Sequence, residues 1–208
     1  MFIALEGGDG VGKSTQLQLL KSWLELRLRR NVHVFREPGS TALGEKIRDI
    51  LLFQKELQIA RMSELLLFMA ARAQVVAEVV RPALERGEVV LADRFLLSSL
   101  VYQGYGGELD VEQIRNIGHI ATGGTLPDLN IVLDLSLEVS KTRRKAGVPD
   151  RLESEADAFH QRVRDGFLTE ARRFPASHVV VSAEMPVDRV QAELRSVLES
   201  RFPVEFQL

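Results

Sequence analysis

Gly7-Gly8-Asp9-Gly10-Val11-Gly12-Lys13-Ser14 fits the pattern G-x-x-x-x-G-K-[ST], and it lies between a short apolar run at 2–5 and a helical pattern that begins at Leu17. A phosphate-binding loop needs that context. Glycines let the main chain curl so that successive N–H groups converge on phosphate oxygens, and the following helix N-terminus adds positive potential. Lys13 would bridge the outer phosphates and Ser14 would ligate Mg²⁺. A glycine turn that merely joins strand to helix explains the glycines but not the Lys-Ser pair in register.

The loop implies a nucleoside triphosphate but does not by itself separate a kinase from a GTPase or an ATP-driven machine. A guanine reader of the form Asn-Lys-x-Asp is absent, as is an Asp-x-x-Gly switch after the appropriate strand. The apolar run 89–92 ends in Asp93-Arg94. That pair can hold metal-bound water and also place a cation beside a second anionic group.

Two further pairs have helical spacing. Phe68 and Arg72 are four apart, so a ring can stack on a base while a guanidinium donates to its carbonyl edge. Ordinary core packing is the alternative for Phe68, which stands among Leu65, Leu66 and Leu67. Arg72 in an apolar face is harder to explain by packing, although its stem can snorkel. Ser99 and Gln103 share the spacing, and their plain alternative is a polar helix end before the glycine turn at 104–107. Lys141, Arg143, Arg144, Lys145 and Arg151 surround a segment punctuated by Gly147 and Pro149, which suits either a moving basic lid or a solvated charged face.

Apolar, β-branched runs at 2–5, 32–35, 89–92, 131–135 and 179–181 predict buried strands, and helical periods lie between them. One period runs through Leu17, Leu20, Leu24 and Leu28, another through Leu65, Phe68, Arg72, Val75, Val76 and Val79, and a third follows Pro186. Strand and helix therefore alternate. Such alternation predicts parallel strands with crossover helices on both faces and a ligand site beyond the strands' carboxyl ends. Candidate functional loops are the irregular stretches 37–44, 104–108 and 141–153.

The 208 residues carry 27 Lys+Arg against 29 Asp+Glu, with 45% hydrophobic residues and no internal repeat or linker, which suits one domain. Balanced charge argues against a nucleic-acid partner. No cysteine is present, which excludes disulfides, thiolate zinc sites and thiol catalysis, and the four histidines have no ligand spacing. Apolar runs are too short for a membrane span and no basic segment precedes the first one, so a cytoplasmic protein without membrane partners is expected.

Taken together, the segments resemble the thymidylate kinase family, bacterial type, along nearly the whole chain. The residues that carry the likeness are 6–15 (Glu6 to Thr15), Phe35-Arg36-Glu37-Pro38-Gly39, and 67–74 (Leu67 to Gln74). They continue with Asp93-Arg94-Phe95, Ser98-Ser99, Tyr102-Gln103-Gly104, Pro127-Asp128-Leu129 and Asp150-Arg151-Leu152-Glu153. The resemblance implies a P-loop NTPase three-layer α/β fold, with a five-stranded parallel sheet flanked by helices. It implies one domain over 1–208 with a lid at about 141–153. The activity implied is transfer of the γ-phosphoryl group of ATP to dTMP, forming dTDP and ADP with Mg²⁺, by a homodimer.

Site roles follow from the same likeness. The donor would be bound by Gly7, Gly8, Asp9, Gly10, Val11, Gly12, Lys13, Ser14 and Thr15, and the metal by Ser14 and Asp93. The acceptor would be bound by Asp9, Glu37, Pro38, Arg48, Phe68, Arg72, Arg94, Ser99, Tyr102 and Gln103. Within that set Phe68 stacks on thymine and Arg72 reads its carbonyl edge, Tyr102 crowds a 2′-hydroxyl, and Arg48 with Arg94 grips the phosphate. Arg48 as a surface charge remains the alternative, and Arg36 is left to structural pairing. Catalysis would rest on Lys13, Arg94, Asp9 and the lid arginines Arg144 and Arg151, with Arg143 a further candidate. Asp9 beside phosphates requires a cationic or hydroxyl partner.

Departures from the family pattern also matter. Val11 stands where some relatives carry a loop arginine, and Ala146 where several have an arginine before the lid glycine. Phe95 replaces the tyrosine often found after Asp-Arg. The catalytic cation must then come from elsewhere, and a nucleotide kinase with another acceptor, or a binding protein that has lost transfer, are the competing readings.

Overall fold

The computed structural model describes residues 1–54, 56–143, 151–152 and 155–207. The chain runs β1 (Phe2–Glu6), α1 (Lys13–Leu28), β2 (Val32–Arg36), α2 (Ala42–Leu52) and α3 (Arg61–Val75), which passes through a π-helical turn at Val76–Val80 into α4 (Arg81–Glu85). β3 (Val89–Asp93) leads into α5 (Leu96–Ser99), continued by a π-helical segment Leu100–Gly106, and then α6 (Val111–Thr122). After them come β4 (Leu129–Asp134), α7 (Leu137–Arg143), α8 (Asp157–Arg173), β5 (His178–Ser182), α9 (Val187–Arg201) and α10 (Pro203–Phe206).

Among the described residues the strands form one five-stranded sheet in the order β2-β3-β1-β4-β5, and every neighbouring pair is parallel. The five apolar runs are the five strands, and the expected α/β fold is the observed one. Helices cover both sheet faces, so alternate strand residues enter different cores. Phe2, Ala4, Val90 and Ala92 pack with Phe35, Phe95, Tyr102 and Phe167 on one side. Ile3, Leu5 and Leu91 pack with Leu17, Leu20, Leu24 and Leu194 on the other. Full burial of each Val, Leu, Ile or Phe side chain among them contributes roughly 1.5–3 kcal/mol, which holds β1 and its neighbours as the rigid base of the site.

The sequence reading differs at 42–44, which begin α2, at 141–143, which end α7, and at 104–108. The last segment is helical as far as Gly106 rather than irregular. A Cβ on Gly106 would stand 2.7 Å from Phe159 Cε2, so the missing side chain lets the wide helical turn press against α8.

The register decides what meets at the sheet's carboxyl edge. Asp93 lies opposite Leu5 of β1 and opposite Arg36 of β2. The ladder extends one step further, with the Glu37 N–H donating to the Asp93 carbonyl at 3.0 Å. Gly7, Glu37 and Arg94, distant in sequence, thus leave adjacent strands side by side.

Candidate active site

Residues 7–14 wrap from β1 into α1, with Gly7, Gly10 and Gly12 at φ 126°, 75° and 95°. Gly7 has no substitute: its φ disfavours L side chains, and a Cβ would run into the Leu133 carbonyl of the adjacent strand. α1 starts without a side-chain cap and without an acidic residue in its first turn. Its leading amides are therefore suited to an anion. Lys13 is buried and donates to the carbonyls of Gly8 at 2.7 Å and Gly7 at 3.2 Å. Burial, with repulsion from Arg94, brings its ammonium down to about 8 against the pull of Asp9, Asp93 and Glu6.

Ser14 donates to Asp93 Oδ2 at 3.1 Å, which unites the first turn of α1 with the end of β3. A hydroxyl and a carboxylate so placed are hard oxygen donors of the kind Mg²⁺ takes alongside phosphate oxygens and water. Among the described residues no group of three or more His, Cys, Asp or Glu could hold a metal by itself. The donor set thus fits a metal bound partly by its nucleotide.

Beside the loop, Arg94 forms a hub. It pairs with Asp9, donates to the Gly7 carbonyl at 2.8 Å and Ser98 Oγ at 3.2 Å, and reaches Tyr102 Oη at 3.1 Å. Tyr102 in turn donates to Asp9 Oδ2 at 3.1 Å. Burial opposes ionisation of Asp9, but Arg94 and Lys13 outweigh it and hold the carboxyl well below its usual range. The loop carboxylate therefore has the cation and the hydroxyl it requires. Arg94 has φ 70°, a conformation unfavourable for a non-glycine residue, and these bonds hold it there. Underneath, buried Glu6 accepts from Phe95 N–H at 2.8 Å and Ser98 Oγ at 2.5 Å, which secures the turn after β3.

From this hub opens a cleft of about 160 Å³. Its walls include Asp9, Glu37, Pro38, Arg48, Phe68, Arg72, Arg94, Ser99, Tyr102 and Gln103, so the whole expected acceptor set is brought together. Phe68 is buried among core side chains and also lines the cleft. Arg72 does not snorkel. It is 1% exposed and donates through Nε to Glu37 Oε2 at 2.7 Å and through Nη2 to the Phe95 carbonyl at 3.1 Å. Burial pushes the Glu37 carboxyl up to about 7 although Arg72 pulls it down. Its Oε1 is buried with no hydrogen-bond partner among the described residues, an acceptor that a ligand donor would satisfy. Arg48 donates to the Pro38 carbonyl at 2.9 Å and is no isolated surface charge.

The lid arginines separate. Arg144 lies outside the described residues, as do Ala146 and the lid glycine. Arg143 donates to the Ala183 carbonyl at 2.7 Å, beside the turn after β5. Arg151 pairs with Glu64 and donates to the Leu51 carbonyl at 3.0 Å. A carboxylate buried in α3 draws it there. Arg36 pairs with Glu45 at the surface. Sequence reasoning missed Leu52, which lines the cleft, and Glu64 behind it. Glu64 had a signal, because 64, 68 and 72 form one helical stripe in which an acid precedes the ring and the guanidinium by whole turns.

The parallel sheet and the glycine loop between its central strand and first helix define a P-loop nucleotide-binding protein, with a second cleft adjoining the loop. The thymidylate kinase family model matches residues 5–194. A thymidylate kinase of Leifsonia xyli is 50% identical over 203 residues, covering 97% of this chain and 95% of that protein. One of Gloeobacter violaceus is 47% identical over 202 residues, covering 96% and 94%. The crystal structure of thymidylate kinase from Ehrlichia chaffeensis superposes with a TM-score of 0.79 at 30% identity, covering 95% of this chain and 98% of that one. The chain belongs to the thymidylate kinase family. Among the described residues no helix is long and apolar enough to cross a membrane.

Proposed function

We infer that this chain transfers the γ-phosphoryl group of ATP to the phosphate of dTMP, giving dTDP and ADP, as its family membership indicates. The observation that carries the residue-level reading is the junction of the two sites: Arg94 contacts the phosphate loop through the Gly7 carbonyl and the cleft through Asp9 and Tyr102. An acceptor phosphate held by Arg94 and Arg48 would thus lie next to a triphosphate in the loop.

In this reading the amides of 7–15 and Lys13 hold the donor phosphates, and Ser14 with Asp93 holds Mg²⁺, which supplies charge neutralisation when bound. A dTMP phosphate oxygen bonds to the γ-phosphorus as the bond to the β–γ bridging oxygen breaks in line. The negative charge that develops on the equatorial oxygens falls to Lys13, Arg94 and a lid arginine, Arg144. Arg151 acts from the acceptor side. Phe68 stacks on the base, Arg72 and Gln103 address its polar edge, Ser99 lies close to it, and the Tyr102 ring leaves little room for a 2′-hydroxyl. Asp9, held ionised, accepts from the deoxyribose hydroxyl. The 208 residues work as one unit with a lid at about 141–153, in a cytoplasmic homodimer without nucleic-acid or membrane partners.

ADP release from Mg-ATP with each deoxynucleoside monophosphate tests the assignment. Stimulation by dTMP is expected, with weaker turnover of dUMP because one methyl group is worth only about 1–3 kcal/mol. No stimulation by dTMP would overturn it.

A further inference from the structure

Glu64 lies outside the reaction described above, yet it is among the most deeply buried acids of the chain, at 1% exposure. It lies behind the cleft wall and holds two parts of that wall. Oε1 accepts from Gln103 Nε2 at 2.8 Å, and Oε2 pairs with Arg151. Arg151 is tied further to α2, through Nε to the Leu51 carbonyl at 3.0 Å and through its own N–H to the Leu52 carbonyl at 3.3 Å. Its neighbour Leu152 lines the cleft, as do Leu52 and Gln103.

We propose that Glu64 is a positioning residue that sets the acceptor cleft's base specificity, through the Gln103 carboxamide on one side and the Arg151-Leu152 wall on the other. A carboxylate paired with an arginine can only accept, so Gln103 must present its nitrogen to Glu64. Oε1 is then the end of the amide that can turn to a ligand. An acceptor in that place suits the N3–H of thymine or uracil, whereas cytosine offers a lone pair at N3 and meets it unfavourably. Without Glu64 the amide is able to rotate, and Arg151 loses the charge that docks Leu152. The proposal rests on the reading of the cleft as the dTMP site.

The test uses the full chain, with Mg-ATP saturating and dTMP, dUMP and dCMP as acceptors, and with thermal melting in parallel. Wild-type turnover of dTMP comes first, since its absence would remove the cleft assignment itself and not only the part played by Glu64. With turnover present, Glu64→Gln is expected to raise KM for dTMP about tenfold, the size of one hydrogen bond to a charged group, with kcat within about twofold. It is also expected to narrow the preference for dTMP over dCMP. Combined with Gln103→Leu, it should cost little more than the larger single change. A lower melting temperature with an unchanged KM and unchanged preference assigns Glu64 to stability alone and overturns the proposal. Gln103→Leu leaves Glu64 and Arg151 paired and should reproduce the KM and preference changes. If it leaves both unchanged, the proposal fails whatever the fate of the Glu64 variants.

Discussion

The phosphate loop and the acceptor cleft handle charge in different ways. The loop uses main-chain groups from adjacent residues, and its one cation, Lys13, is held by the carbonyls of Gly7 and Gly8. The cleft uses side chains from α2, α3, the turn after β3 and the segment Leu100–Gly106, and its guanidiniums are prepaired, Arg72 with Glu37 and Arg94 with Asp9. A phosphate is nearly the same from every direction, so converging amides suffice. A base has an ordered polar edge, and reading it requires side chains whose rotamers are fixed by partners before the ligand arrives.

If that contrast holds, damage in the cleft should reach the fold, whereas damage in the loop should stay with the donor. Arg72→Ala is the largest case. It leaves the Glu37 carboxyl buried without its partner, to take a proton, and removes the fully buried guanidinium, so a loss of about 3–5 kcal/mol in stability by denaturant unfolding is expected, together with a raised KM for dTMP. Arg72→Ala combined with Glu37→Ala should recover part of that stability, and a simple sum of the two single losses would break the prepaired picture.

Lys13→Met should lower kcat by about 10²–10³-fold, as loss of one preorganised charge does elsewhere, while dTMP affinity by calorimetry stays unchanged. Weaker dTMP binding would show that loss of the Lys13 charge passes to the cleft through Asp9 and Arg94, which join the two regions. A smaller effect concerns pH. Lys13 carries its charge below about 8, so kcat/KM for ATP should fall roughly tenfold per pH unit above that value. A pH-rate profile checks this, with Glu37→Gln leaving the limb in place and Lys13→Arg moving it upward. The smallest change is Tyr102→Phe, which removes a hydroxyl between Asp9 and Arg94 but leaves their ion pair. About 0.5–1.5 kcal/mol of stability should go, and the retained ring should keep discrimination against ribose in competition assays.

How much of this was legible in the sequence follows the same divide. The five strands and residues 7–15 were readable because their signals are local: apolar runs of strand length, glycines at the motif's spacing, Lys and Ser in register. Phe68 and Arg72 were readable as a pair, since helical spacing alone puts them on one stripe. That Arg72 would be paired with Glu37, 35 positions away, was not. Nor was Arg151's attachment to Glu64 across 87 positions.

The order of residue types along the chain therefore determined the layered sheet, the phosphate loop and the family, because each depends on interactions between near neighbours or on periodic burial. Tertiary packing alone decided which carboxylate each arginine meets. A long cation takes whichever buried acid the strand register and helix docking bring within hydrogen-bond reach, and the cost of leaving that acid unpaired outweighs the preferences of its sequence neighbours.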